Sequence, residues 1–170
     1  MTTASVAPQM LHGWAIYLQA SEEARRRGDR RTGTDHLLLA VLEDPSAEVV
    51  LGVSLQQARQ ALESLDQEAL GALGLGSGIG APPLPMRAVP KKPRLRDVAK
   101  KDRFRMTPAA KKVLQEAVRP NRRKTQVTAQ QVLAQILILL PPDPAAVLLD
   151  ALGVNTSEVR RRLDTAPPDS

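Results

Sequence analysis

One stretch of this chain is written twice. Thr34-Asp-His-Leu-Leu-Leu-Ala-Val-Leu42 aligns on Thr128-Ala-Gln-Gln-Val-Leu-Ala-Gln-Ile136 at a shift of 94 residues. Leu51-Gly52-Val53 aligns on Leu152-Gly153-Val154, after which Arg59 and Leu62 meet Arg160 and Leu163. Upstream, Glu23-Ala24 corresponds to Glu116-Ala117. An internal duplication narrows the possible folds sharply. A unit of about 60 residues with one apolar face buries too little surface to stand alone, so the two copies are expected to cover each other.

Apolar spacing and end signals give each copy four helices: long, short, short, long. In the first copy a helix is expected to start near Pro8, with Met10, Trp14, Tyr17, Leu18, Ser21 and Ala24 as its stripe. Gly28, after three arginines, ends it. Thr34-Asp35 is expected to cap a short helix through Leu42 that Pro45 stops. Ser46 then caps a stub ending at Gly52. Ser54 with Gln57 forms a capping box for a helix carrying Leu55, Ala58, Leu62, Leu65 and Ala69. In the second copy Thr107-Pro108 opens a helix with Ala110, Val113, Leu114, Ala117 and Val118. Thr128 with Gln131 caps the next, which Pro141-Pro142 stop. Asp143-Pro144 restarts the chain as far as Gly153, and Asn155 with Glu158 caps a last helix carrying Val159 and Leu163. The second copy holds about seven more residues between its second and fourth helices.

Between the copies the composition changes. The glycine-rich run Gly74–Gly80 gives way to Pro82, Pro83, Pro85, Pro90 and Pro93, and then to charge. Such a segment reads as a linker, with at most a weak helical turn over 94–101. Residues 87–124 carry fifteen Lys and Arg against three acids, a net +12, so the rest of the +6 chain sums to −6. The basicity belongs to one segment. It could neutralise nucleic-acid phosphates, but Phe104 is its only aromatic and offers no stacking platform, so nucleic acid is the second choice. A solvated linker, or one that binds an acidic protein face, suits it better.

Other classes of function are excluded more directly. There is no cysteine, hence no disulfide, thiolate metal site or thiol nucleophile. His12 and His36 are the only imidazoles, and no serine or second acid stands at the spacing of a triad. His36 reads as a packing residue held in one orientation. No G-x-x-x-x-G-K-[ST] occurs, and nothing calls for a cofactor or metal. No apolar run reaches membrane-span length and the first residues lack a signal-peptide pattern, so a cytoplasmic protein is expected.

In order, these motifs are Glu-Ala, Gly-Thr-(acid)-His-Leu-Leu-Leu, Leu-Gly-Val and a helix with Arg. They resemble the Clp N-terminal (Clp R) repeat domain, the module that begins ClpC-type unfoldase ATPases. Met106-Thr-Pro-Ala-Ala-Lys-Lys-Val-Leu114 is similar to that family's usual opening of repeat two, aromatic-Thr-Pro-x-Ala-Lys-Lys-Val-Leu. The resemblance implies an all-α domain, a pseudo-twofold bundle of two four-helix repeats joined by a long basic Pro/Gly-rich linker. Repeat one covers 9–69, the linker 70–105, repeat two 106–164 and a frayed tail 165–170.

The resemblance also implies a function: a non-enzymatic module that binds adaptors, substrates or ligands of a Clp ATPase and acts as adaptor, competitor or decoy. Family domains accept the guanidinium of phosphorylated arginine on the acid of each Gly-Thr-Glu-His motif. Thr34 and Asp35 occupy that place in repeat one, the acid one methylene shorter. In repeat two the motif reads Val127-Thr128-Ala129-Gln130, so at most one such site is expected. An aspartate in a first turn also serves the helix dipole, and that role is favoured for Asp35. Met106 and Lys111 match positions beside a groove used by protein partners and by cyclic peptides.

Overall fold

In a computed structural model the described residues are 10–74, 105–119 and 126–165. They are mostly helical. The elements are β1 (Met10–His12), α1 (Gly13–Arg27), α2 (Thr34–Val41), α3 (Pro45–Leu51) and α4 (Leu55–Ala72). After residues 75–104 come α5 (Pro108–Val118), β2 (Gln126–Thr128), α6 (Ala129–Ile136), α7 (Pro144–Ala151) and α8 (Thr156–Thr165). The expectations for the linker core, for a turn over 94–101 and for the tail beyond Thr165 lie outside the described residues.

Capping chemistry fixes most of the boundaries where expected. The hydroxyls of Ser54, Thr107 and Thr128 accept from the N–H groups of Gln57, Ala110 and Gln131. In the first and last of these the glutamine amide oxygen accepts from the N-cap N–H in return, completing two capping boxes. Asn155 Oδ1 accepts from the Glu158 N–H at 3.1 Å. At the end of α7 the Gly153 N–H donates to the Asp150 carbonyl and the Val154 N–H to that of Leu149, a left-handed glycine turn that absorbs two orphan carbonyls.

Three local expectations need correction. Met10–His12 are not helical. They pair antiparallel with Gln126–Thr128, Met10 opposite Thr128 and His12 opposite Gln126, because this backbone finds a strand partner in the second block. Helix α1 therefore starts at Gly13, and its inward face is Ile16, Tyr17, Ala20, Glu23 and Ala24. Trp14 stays 46% exposed, its ring 5.2 Å from that of Tyr17. The N-cap of α2 is Gly33, one residue before Thr34, whose hydroxyl is engaged elsewhere. The N-cap of α3 is Asp44, not Ser46: its carboxylate accepts from the Ser46 N–H at 2.9 Å, and Pro45 opens the helix instead of only ending the one before. The extra residues of the second copy fall mostly in the loop 137–143, against a loop of only 42–44 in the first copy.

The core is aliphatic and continuous across both blocks. Leu37, Leu38, Leu39, Val41 and Leu42 of the α2 segment meet Val132, Leu133 and Ile136 of α6 and Leu148 and Leu149 of α7. Helix α2 packs on α1, α4, α5, α6 and α7 and is the central element. Every residue of it is buried, which is why it reads as an almost unbroken apolar run without an amphipathic period. Outside the core proper, Glu23 is 3% exposed and is held by Arg59 of α4 through a two-point contact, Nε to Oε2 at 3.2 Å and Nη2 to Oε1.

Candidate functional site

The turn between α1 and α2 builds the most charged buried cluster among the described residues. Gly28 has φ +82°, its N–H donates to the Arg25 carbonyl at 3.1 Å, and the Asp29 N–H donates to that of Ala24 at 2.8 Å. This tight reversal brings the end of α1 back over the start of α2. Arg27 then places one guanidinium nitrogen 3.1 Å from Asp35 Oδ2 and 3.7 Å from Asp29 Oδ2, and the other against Asp66 Oδ2 of α4. Its side chain is 22% accessible and that of Asp35 only 10%. The acid that the resemblance assigns to an incoming guanidinium thus already holds one belonging to the chain.

His36 completes the cluster. The Gly33 N–H donates to its Nδ1 at 3.0 Å, and Nε2 lies 3.0 Å from Asp29 Oδ2. The ring is buried and oriented, as expected. Asp35 Oδ1 lies 3.2 Å from Nδ1. Burial works to raise the Asp35 carboxyl. The hydrogen bond and charge of His36, its backbone N–H and the Arg27 guanidinium outweigh burial, and the acid sits below its ordinary value. Gly33 is needed for space, since its φ of −93° is open to any residue. A Cβ there would meet Asp35 Oδ1 at 2.3 Å.

Thr34 faces the other way. It is 1% exposed, and its hydroxyl donates across 109 residues to Asp143 Oδ1 at 2.6 Å, while the Ala145 N–H approaches it at 3.4 Å. Thr34 therefore joins the start of α2 to the N-cap of α7 and presents nothing outward. Met106 is half-buried against the core. Its backbone lies beside Thr32: the Thr32 N–H donates to the Arg105 carbonyl at 2.7 Å and the Thr107 N–H to the Thr32 carbonyl at 2.9 Å. Lys111 is exposed, one turn into α5. The fold thus brings Met106 beside Thr32, in the turn that leads into Thr34 and Asp35, and leaves Lys111 exposed on α5. In the second copy Ala129, aligned with Asp35, is buried and offers no acid.

Sequence reasoning missed Arg27, Asp29, Asp66 and Asp143. The three arginines before Gly28 read only as part of a helix C-terminus, yet Arg27 folds back across eight residues to Asp35. Chemically, the cluster is one internal guanidinium, that of Arg27, held by the carboxylates of Asp29, Asp35 and Asp66. Among the described residues no group of three or more His, Cys, Asp or Glu is placed to hold a metal ion. No helix among them is long and apolar enough to cross a membrane.

Comparison with family models finds none that matches the chain, and comparison with the curated proteins finds no match.

Proposed function

We propose that the chain is a protein-binding module of the Clp N-domain type, non-enzymatic, which shares adaptors or substrates with a Clp ATPase. The observation that carries this reading is the pattern of helix packing. Exchanging α1–α4 for α5–α8 maps the contact of α2 with α7 onto that of α6 with α3. It also maps α4 with α7 onto α8 with α3, α1 with α2 onto α5 with α6, and α2 with α4 onto α6 with α8. The packing of α2 on α6 maps onto itself. This is what two four-helix repeats about a pseudo-twofold require. The repeated turn chemistry supports the same reading, with Asp44-Pro45 and Asp143-Pro144 each capping a third helix that ends at a left-handed glycine.

Within this reading the phosphoarginine role of Asp35 is suspended. A ligand guanidinium would have to displace Arg27 from three carboxylates, so binding surfaces other than the acid carry recognition. Two measurements test the proposal. Calorimetry with phosphoarginine should give no heat of binding, and one or two sites would reinstate the acid. Added to a reconstituted Clp ATPase and peptidase from the same genome, the chain should change the degradation rate of an adaptor-dependent substrate. A rise marks an adaptor and a fall a competitor. A rate unchanged with the chain in excess over the ATPase refutes the proposal.

A further inference from the structure

Helices α3 and α7 begin alike. Asp44-Pro45-Ser46-Ala47 and Asp143-Pro144-Ala145-Ala146 each set an N-cap aspartate before a proline, and each carboxylate accepts from the N–H two residues on. They differ in what else the aspartate holds. Asp143 Oδ1 also accepts the hydroxyl of Thr34, from the other half of the chain, at 2.6 Å. Thr128, which aligns with Thr34, keeps its hydroxyl for its own helix and accepts from the Gln131 N–H at 3.1 Å. Asp44 Oδ2 and the Ser46 hydroxyl are buried with no hydrogen-bond partner among the described residues. Where Ser46 stands, α7 has Ala145, which carries no such group. A buried polar atom left unpaired works against closure of the element that carries it. Apolar anchoring points the same way. Helix α3 buries Ala47 and Leu51 and leaves Val49 79% exposed, whereas α7 buries Ala145, Ala146, Leu148 and Leu149. The Glu48 carboxylate ties α3 to its own half, through the Leu55 N–H at 2.8 Å.

We propose that α3 is a lid. It opens as a unit of its own, ahead of the rest of the fold, while α7 stays closed until the two halves come apart. Elements that open locally are those with few buried apolar groups and unmet polar ones, and α3 has both. Helix α3 packs on α6 and α8, so its opening uncovers the sides of those two helices and leaves the joint of α7 with α2 and α4 in place. The two unpaired oxygens reach water in the open form, which lowers the cost of opening. The inference compares two helices of one chain and does not depend on a Clp ATPase as partner.

The test is native-state amide hydrogen exchange on the full chain, read by NMR as protection factors at low urea. Gly52, whose N–H donates to the Glu48 carbonyl, reports on α3, and Leu152, which donates to that of Leu148, reports on α7. Protection in α3 should be at least about tenfold lower than in α7, with a weaker dependence on urea because less surface is exposed. Ser46→Ala copies the α7 sequence and removes one unpaired oxygen. It should raise protection in α3 by about threefold or more and leave α7 unchanged. Val49→Ala is the control, since it raises helix propensity by a similar amount on the exposed face; an equal rise there would assign the gain to propensity and overturn the proposal. Thr34→Val should lower protection in α7 alone, and a loss shared by α3 would count against separate opening. Equal protection in the two helices with one urea dependence would show a single cooperative unit and overturn the proposal, as would a Ser46→Ala variant whose α3 exchanges no more slowly than in wild type.

Discussion

Gly33→Ala tests the architecture of the α1–α2 turn with one methyl group. The new Cβ would stand 2.3 Å from Asp35 Oδ1, about 1 Å short of ordinary contact. The carboxylate has no free direction in which to retreat, because Oδ2 is held by Arg27 at 3.1 Å and Oδ1 lies 3.2 Å from His36. Displacing it disrupts a charge-assisted contact worth about 1.5–3 kcal/mol. Alanine also restricts the unfolded chain, which returns about 0.4–1 kcal/mol because the native φ is open to it. The net expected loss is about 1–2 kcal/mol, or about 2–8 °C in melting temperature for a chain of this size. Urea denaturation followed by circular dichroism reads it directly, and the same substitution is then made in an Asp35→Ala background. There the atoms in the way are gone, so Gly33→Ala should become neutral or stabilising, a coupling of about 1 kcal/mol or more. Equal cost in both backgrounds would show that the glycine serves some other purpose and that the carboxylate is not pinned over it.

Because the folded Asp35 carboxyl lies below its ordinary value, its ionised form stabilises the fold above the unfolded aspartate value of about 3.9, and that share is lost as pH falls through the folded value. The stability gap between wild type and Asp35→Asn, from urea midpoints at several pH values, should be constant near neutrality and shrink below about pH 4. Thr34→Val keeps the shape and removes the donor to Asp143, so it should cost about 1–2 kcal/mol by the same assay; a cost near zero would mean the cross-chain bond is incidental. Arg59→Ala removes the two-point partner of the buried Glu23 carboxylate, leaving Arg26 at 3.6 Å, and should cost about 2–3 kcal/mol, most of it recovered when Glu23 is also replaced by leucine.

What the sequence made legible was local. The caps at Ser54, Thr107, Thr128 and Asn155 involve residues three apart, so the pattern carries the whole interaction. Glycine after Arg27 and after Leu152 signals a left-handed turn in the same way. What it did not show depends on residues far apart in the chain. Thr34 looked like an N-cap because threonine before an acid and an apolar run usually is one, yet its hydroxyl goes to Asp143, and Gly33 takes over the cap position. Met10–His12 has a helical apolar spacing, and only the partner at Gln126–Thr128 makes it a strand. Asp35 was legible as a site residue, but its occupant was not. Arg27 reaches it through a turn whose geometry the sequence allows without naming, and Asp66 joins from α4. The sequence repeat predicts two similar units; it does not predict that Asp143 has Thr34 as its partner.

The backbone ties between the two halves also bear on what the intervening segment is for. Strand β1 lies on β2, Thr32 is bonded on both sides of Met106, and Thr34 reaches Asp143, so the halves are held by contacts that do not run through residues 75–104. The covalent connection makes the association of the two halves intramolecular. A chain opened by a protease between residues 75 and 104 becomes a two-piece complex whose survival depends on dilution, whereas the intact chain is indifferent to it. Cleavage in that segment converts a concentration-independent fold into one governed by mass action, and the lifetime of the nicked form measures how strongly the two halves recognise each other.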